Sequence, residues 1–224
     1  MTKKIKLLIL ILLSLSVYFI YGRTKNTYMI LTNIGDGLGI GVNSYGIEEY
    51  NAIEYYQEYL KSQKKEVVLH QNFSKKTLHT KELIEKIKTN PELKRELLET
   101  HILFLTIGYY DWIYASSTTE EKNEIFFQRW KQEFQKNYQE LIQEIRKYYS
   151  HEIMAIGYYP RTKDPMEKEA ILYINQVIQN QEEITYISTE FLLHQEEKYF
   201  WNPRSYYPNR EGYKQISYKI IENT

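Results

Sequence analysis

Hydrolytic or transfer chemistry needs a nucleophile and a base, and this chain of 224 residues offers few of either. It contains no cysteine, which removes thiolate nucleophiles, disulfides, thiolate metal sites and lipidated-cysteine anchors together. Of the histidines, His70, His79, His101 and His151 fall at predicted strand or helix ends without metal-ligand spacing and His194 reads as a surface-loop residue, so no metal or other cofactor is expected. A glycine cluster, Gly35-Asp36-Gly37-Leu38-Gly39-Ile40-Gly41, could cradle a phosphate. However, Ile40 stands where the third glycine of G-x-G-x-x-G belongs, and the next apolar run, EVVLHQ, ends without the acid that would hold a ribose. Gly37 then reads as a turn residue at a crowded corner.

Elements that could position such residues follow from hydrophobic patterning. Short apolar runs at Tyr28–Thr32, Glu66–His70, Ile102–Ile107, Ile153–Tyr158 and Ile184–Ser188 read as buried strands. Helical patterns lie between and after them, at Glu48–Lys61, Thr80–Lys88, Pro91–Thr100, Thr119–Tyr149, Pro165–Gln179 and Arg210–Ile221. Thr80, Thr118 and Thr119 precede acids and are expected as hydroxyl caps. Strands alternating with helices predict an α/β fold, a three-layer α/β/α sandwich around a mainly parallel five-stranded sheet of flavodoxin-like type. Ligands of such sheets sit beyond the carboxyl ends of the strands.

The N-terminus differs from the rest. Residues Ile5–Tyr21 are apolar except for Lys6 and two serines, preceded by Lys3 and Lys4 and followed by Arg23 and Lys25. A spanning helix needs about 20 residues, with about 17 as a lower limit. Residues 1–25 are therefore expected as a membrane anchor or signal segment, and 26–224 as one domain. The cleavage pattern is poor, since Ser14-Leu15-Ser16 is followed by bulky residues, and both a retained anchor and a cleaved signal stay open. Charge before the run orients the domain outside, at the cell membrane or secreted. Five of the 29 basic residues lie in residues 1–25, which leaves 24 basic against 29 acidic in the body. That balance excludes the basic footprint of a nucleic-acid partner.

Four segments, in order, resemble the blocks of SGNH/GDSL hydrolases. Asn33-Ile34-Gly35-Asp36-Gly37-Leu38 is similar to the Gly-Asp-Ser-Leu block that closes the family's first strand. Thr106-Ile107-Gly108-Tyr109-Tyr110-Asp111 resembles its Gly-x-Asn-Asp block, and Ile156-Gly157-Tyr158-Tyr159-Pro160 its fourth-strand exit. Tyr207-Pro208-Asn209-Arg210-Glu211-Gly212-Tyr213 resembles the His-Pro-Asn-x-x-Gly-Tyr segment before the last helix. The resemblance spans residues 28 to 222. It implies an esterase scaffold in which a serine attacks an ester carbonyl, a histidine three residues after an aspartate takes the proton, and serine N–H, glycine N–H and asparagine stabilise the oxyanion.

The departures fall on that chemistry. Gly37 stands at the serine position, Tyr110 at the asparagine, Tyr207 at the histidine and Arg204 at the aspartate. No glycine follows Asn72 in NFSKKTLHT, where the second block should supply one. Losing the serine or histidine of a triad costs on the order of 10⁶ in turnover. A phenol of pKa about 10 does not replace imidazole, and guanidinium only donates. A pseudoenzyme is therefore expected, with Asp36, Gly37, Gly108, Tyr110, Asp111 and Tyr207 lining a cleft for a cell-envelope glycan, an acyl ligand or an envelope protein. Two alternatives stay open: an active esterase with relocated groups, for which Ser44, Ser205 and His194 are candidates, and a structural envelope subunit with a filled cleft. Tyr110 and Tyr207 fit either a ligand surface or, packed with Arg204, a plug.

Overall fold

The computed structural model describes residues 28–63, 67–202 and 205–224. The expected anchor or signal at 1–25 and the candidate Arg204 lie outside the described residues. Among those described, no helix is long and apolar enough to cross a membrane.

Five strands form one sheet: β1 (Tyr28–Gly35), β2 (Val67–Asn72), β3 (Ile102–Thr106), β4 (Ile153–Ile156) and β5 (Ile184–Ile187). Their order is β2-β1-β3-β4-β5 and every pairing is parallel, so the expected mainly parallel sheet is wholly parallel among the described residues. The central strands are covered on both faces, which is why they read as unbroken apolar runs: Leu31, Ile34, Leu103, Phe104, Leu105, Ile153, Met154 and Ile156 are all buried.

The helices are α1 (Gly37–Ile40), α2 (Ala52–Ser62), α3 (Thr80–Thr89), α4 (Pro91–Glu99), α5 (Tyr109–Ser117), α6 (Glu124–Arg146), α7 (Pro165–Gln179), α8 (Glu196–Tyr199) and α9 (Arg210–Glu222), with a 3₁₀ turn at Glu190–Gln195. Helix α2 packs against α9, and α6 packs against α3 and α7. Right-handed crossovers put α2 and α9 on one face and α3 to α7 on the other. The long α6 buries Phe127, Trp130, Phe134, Tyr138, Leu141 and Ile145 at helical spacing.

Four expectations are corrected at helix ends. The single pattern at Thr119–Tyr149 resolves into a later helix, α6, because Asn123 is extended and its side chain accepts from the Phe126 N–H. Thr118 closes α5, bonding back to the Tyr114 and Ala115 carbonyls at 3.1 Å. The cap of α3 is His79, whose Nδ1 accepts from Glu82 N, and Thr80 is the first helical residue. The pattern from Glu48 begins its helix only at Ala52, where Asn51 and Glu54 form a capping box.

Candidate functional site

Strand β1 is followed by crossovers that leave on opposite sides, to β2 and then to β3, so the crevice beyond the carboxyl ends of β1 and β3 is the topological switch point. Asp36 and Gly37 follow β1, and Gly108 to Asp111 follow β3. The two segments are tied directly, since Asp36 N donates to Thr106 O at 2.6 Å. Gly108 turns the chain at φ 139°, a conformation that side chains rarely adopt.

Asp36 caps α1, accepting from Leu38 N at 3.2 Å, and receives the Tyr158 hydroxyl at 2.5 Å. Its carboxyl is buried, and burial pushes its pKa up to about 7 against the opposing effect of the Tyr158 and Leu38 donors; nearby Asp111 adds to the rise. Asp111 is itself partly buried and joined to the start of α3, accepting from Thr80 N at 3.0 Å and Thr80 Oγ1 at 2.9 Å. Burial raises it also to about 7. This carboxylate does structural work at a helix N-terminus, where acceptors are short.

Tyr207 meets Gly37. A Cβ built on Gly37 would lie 2.3 Å from the Tyr207 hydroxyl oxygen and 2.8 Å from Cζ, so the phenol occupies the space where a seryl side chain would begin. Burial, then the Asp36 charge, then Tyr110 push the Tyr207 phenol well above its ordinary range, so it stays protonated. Tyr110 is partly exposed, and its N–H faces Asp36. Asp36, Gly37, Tyr110, Asp111 and Tyr207 thus gather at one end of the sheet.

Around them is a shell of aromatic rings that the sequence reading did not single out. Tyr206 stacks on Tyr109 with ring centroids 4.0 Å apart and planes 2° from parallel, and on Tyr159 at 5.3 Å. Tyr109 donates to Glu167 at 2.7 Å, and Tyr159 to the Tyr206 carbonyl at 2.5 Å. Arg161 reaches across from the β4 exit, bonding Ser205 O, Asn202 O and Glu196 while lying 4.1 Å over the Phe200 ring. The signals available were that Tyr109 lies in the block after the third strand, that Tyr158 and Tyr159 lie in the fourth-strand exit, and that Arg161 follows it.

The relocation candidates do not assemble. Ser44 Oγ is buried without a partner, and Ser205 Oγ donates to the Tyr207 carbonyl at 2.7 Å. His194 lies exposed on the 3₁₀ turn. Among the described residues no serine hydroxyl bonds a histidine. His70 is held neutral, its pKa lowered to about 4 by burial. No cluster of three or more metal-binding side chains occurs among the described residues.

No family model and no curated protein matches the chain. Solved structures do. A lipase from a goat rumen metagenome superposes with a TM-score of 0.73 at 21% identity, covering 87% of this chain and 96% of that one. An acetylxylan esterase from Geobacillus stearothermophilus gives 0.63 at 13% identity over 87% and 93%. A protein of the G-D-S-L family from Desulfitobacterium hafniense gives 0.61 at 14% identity over 88% and 99%. At these identities the likeness establishes architecture, and with the sheet order and the ordered blocks it identifies the chain as one with the SGNH/GDSL-hydrolase fold.

Proposed function

We propose that the chain is a membrane-anchored, extracytoplasmic pseudo-hydrolase that binds a cell-envelope ligand or protein partner without cleaving it. The observation that carries this reading is the Tyr207 hydroxyl 2.3 Å from the position a Gly37 Cβ would take. An acyl transfer on this fold begins with a hydroxyl at that point and a base beside it. Here the first is absent and the second is a protonated phenol. Removing a triad nucleophile costs on the order of 10⁶ in turnover, and losing an oxyanion donor about 10² to 10³.

Topology bears on the class of ligand. Tyr28 opens β1 at one end of the sheet, and Gly37 and Tyr207 meet at the other, eight strand residues or about 26 Å away. A tether preceding Tyr28 would turn the site away from the bilayer, toward wall polymers and envelope proteins. That favours a glycan or protein over a membrane acyl chain.

The tyrosine packing also favours a second reading, a structural envelope subunit with its old cleft filled, because Tyr207 and the stacked Tyr206 and Tyr109 occupy the switch-point crevice. Both readings predict that the full chain, purified in detergent, turns over p-nitrophenyl acetate at the protein-free rate. Turnover abolished by Ser44→Ala or His194→Ala would instead establish the relocated esterase. Placement is tested with Tyr218→Cys, at an exposed position in a chain without cysteine. Labelling of intact cells by an impermeant maleimide is the expected result, and labelling only after lysis overturns it.

A further inference from the structure

Two buried tyrosine hydroxyls face Tyr158, those of Tyr206 and Tyr138, and neither makes a hydrogen bond among the described residues. Tyr158 is itself buried, and its own hydroxyl donates to Asp36 Oδ2 at 2.5 Å. Its ring lies 6.0 Å from that of Tyr109, Tyr109 stacks on Tyr206 at 4.0 Å, and Tyr206 meets Tyr207 edge-on at 5.6 Å. Packed rings thus run from Asp36 to the phenol seated against Gly37. A buried hydroxyl without a partner is costly, so an arrangement that supplies one is favoured.

The groups that face Asp36 are Asp111 and Tyr109 of α5, Tyr158 beyond β4, Tyr206 and Tyr207 ahead of α9, and Tyr213 within it. Lys81 faces Asp111 in turn. When Asp36 is ionised, the Leu38 N–H, the Tyr110 N–H and the Tyr158 O–H all donate to it. A protonated carboxyl has a hydrogen of its own to place. Neither backbone N–H can accept it, but the Tyr158 oxygen can, since a phenol both donates and accepts and burial keeps this one protonated. Once that oxygen accepts from Asp36, the Tyr158 hydrogen is free to turn elsewhere. Tyr206 faces both Asp36 and Tyr158, and of the two unpartnered hydroxyls it belongs to the segment that carries Tyr207. Burial, with Asp111 nearby, brings this proton uptake to about pH 7.

We propose that Asp36, Tyr158 and Tyr206 form a proton-operated switch on the segment that seats Tyr207. When Asp36 takes a proton from solvent it donates to the Tyr158 oxygen, the Tyr158 hydrogen turns to the Tyr206 hydroxyl, and Tyr207 is held more firmly on Gly37. The O–H formed at Asp36 is the one covalent change, and Tyr158 keeps its own hydrogen throughout. Loss of the proton returns the Tyr158 hydrogen to Asp36 and releases Tyr206. The crevice over Gly37 is thus closed more tightly in acid and loosened above neutral pH. The switch does not depend on what the chain binds.

The test uses the full chain in detergent, its tyrosines isotope-labelled at Cζ and followed by NMR from about pH 5 to 9. Amide exchange is measured alongside at Ser205 and Asn209, which bond Asn202 O at 3.1 Å and Tyr199 O at 2.8 Å, and in strand β3. One Cζ resonance, missing from Tyr158→Phe, should shift with a midpoint of about pH 7. Exchange at Ser205 and Asn209, relative to β3, should be about fivefold slower on the acid side, as one hydrogen bond allows. Asp36→Asn presents Tyr158 with a permanent donor and should hold the acid-side ratio at every pH. Tyr206→Phe keeps the stacked ring and removes the acceptor, so the Tyr158 shift should remain while the pH dependence of exchange disappears. A Tyr158 shift that persists in Asp36→Asn would overturn the proposal. So would exchange at Ser205 and Asn209 that ignores pH or changes only in step with β3, or a pH dependence kept in Tyr206→Phe and lost in Tyr138→Phe. Where Asp36→Asn does not fold, the Tyr206→Phe comparison decides the matter.

Discussion

The hydroxyl of Tyr158 donates to Asp36 Oδ2 at 2.5 Å, joining the exit of β4 to the turn after β1 across 122 positions of sequence. The bond favours the ionised carboxylate, yet burial outweighs it and the Asp36 pKa stands at about 7 against 3.8 ordinarily. Between those values the folded chain holds a proton that the unfolded chain releases. Stability from this group is therefore full below pH 3.8 and is lost as pH rises through about 7. Its slope is at most about 1.4 kcal/mol per pH unit. Melting temperature should rise as pH is lowered from about 8 to 5, and Asp36→Asn should flatten part of that rise, with Asp111 retaining the rest. An Asp36→Asn profile parallel to the parent's would refute the assignment.

Gly37 and Tyr207 should be energetically coupled. Gly37→Ala forces the phenol out of its seat, which costs about 1 to 2 kcal/mol because the ring is a movable side-chain end. In a Tyr207→Ala background the same substitution should cost about 0.5 kcal/mol or less, a coupling of about 1 kcal/mol in a urea double-mutant cycle. Additive costs would mean that the two side chains do not compete for one space. Gly37→Ser alone should leave ester turnover at background.

Much of this architecture was legible because parallel strands buried on both faces declare themselves as apolar runs, as Ile102–Ile107 and Ile153–Tyr158 did. The ordered blocks located the switch point, and the placing of Asp36, Gly37, Tyr110 and Asp111 at one end of the sheet followed from them. Helix α5 was missed because YYDWIYASS is apolar on nearly every side and lacks the polar face that marks a helix. Spatial partners 31 to 122 residues apart, such as Thr80 with Asp111 and Asp36 with Tyr158, leave no periodic trace.

Gly108 makes a sharper stability prediction. Its φ of 139° strains any side chain, and an added Cβ would lie 2.8 Å from Ile174 Cγ2 and 3.1 Å from Phe134 Cζ inside the core. Backbone strain and overpacking act together, so Gly108→Ala should cost about 2 to 4 kcal/mol in equilibrium urea unfolding. A loss under about 1 kcal/mol would show that the β3 exit relaxes freely and does not fix the position of α5.

Arg161 should control the segment that carries Tyr207. Its side chain is only 7% exposed, and its guanidinium bonds Glu196 at 3.1 Å, Asn202 O at 3.0 Å and Ser205 O, while stacking over Phe200. A planar five-donor fork can meet all of these at once, and an ammonium cannot. Arg161→Lys keeps the charge but should release the described residues between 199 and 209, raising amide exchange there by about tenfold, as loss of about 1.4 kcal/mol of local stability would. Strands β1, β3 and β4 should keep their protection, because none of these contacts reaches the sheet. With the loop loosened, Tyr207 leaves Gly37 more often and the penalty of Gly37→Ala should shrink in the Arg161→Lys background. Unchanged exchange in that segment, or an equal loss across the sheet, would show that Arg161 does not act through the loop.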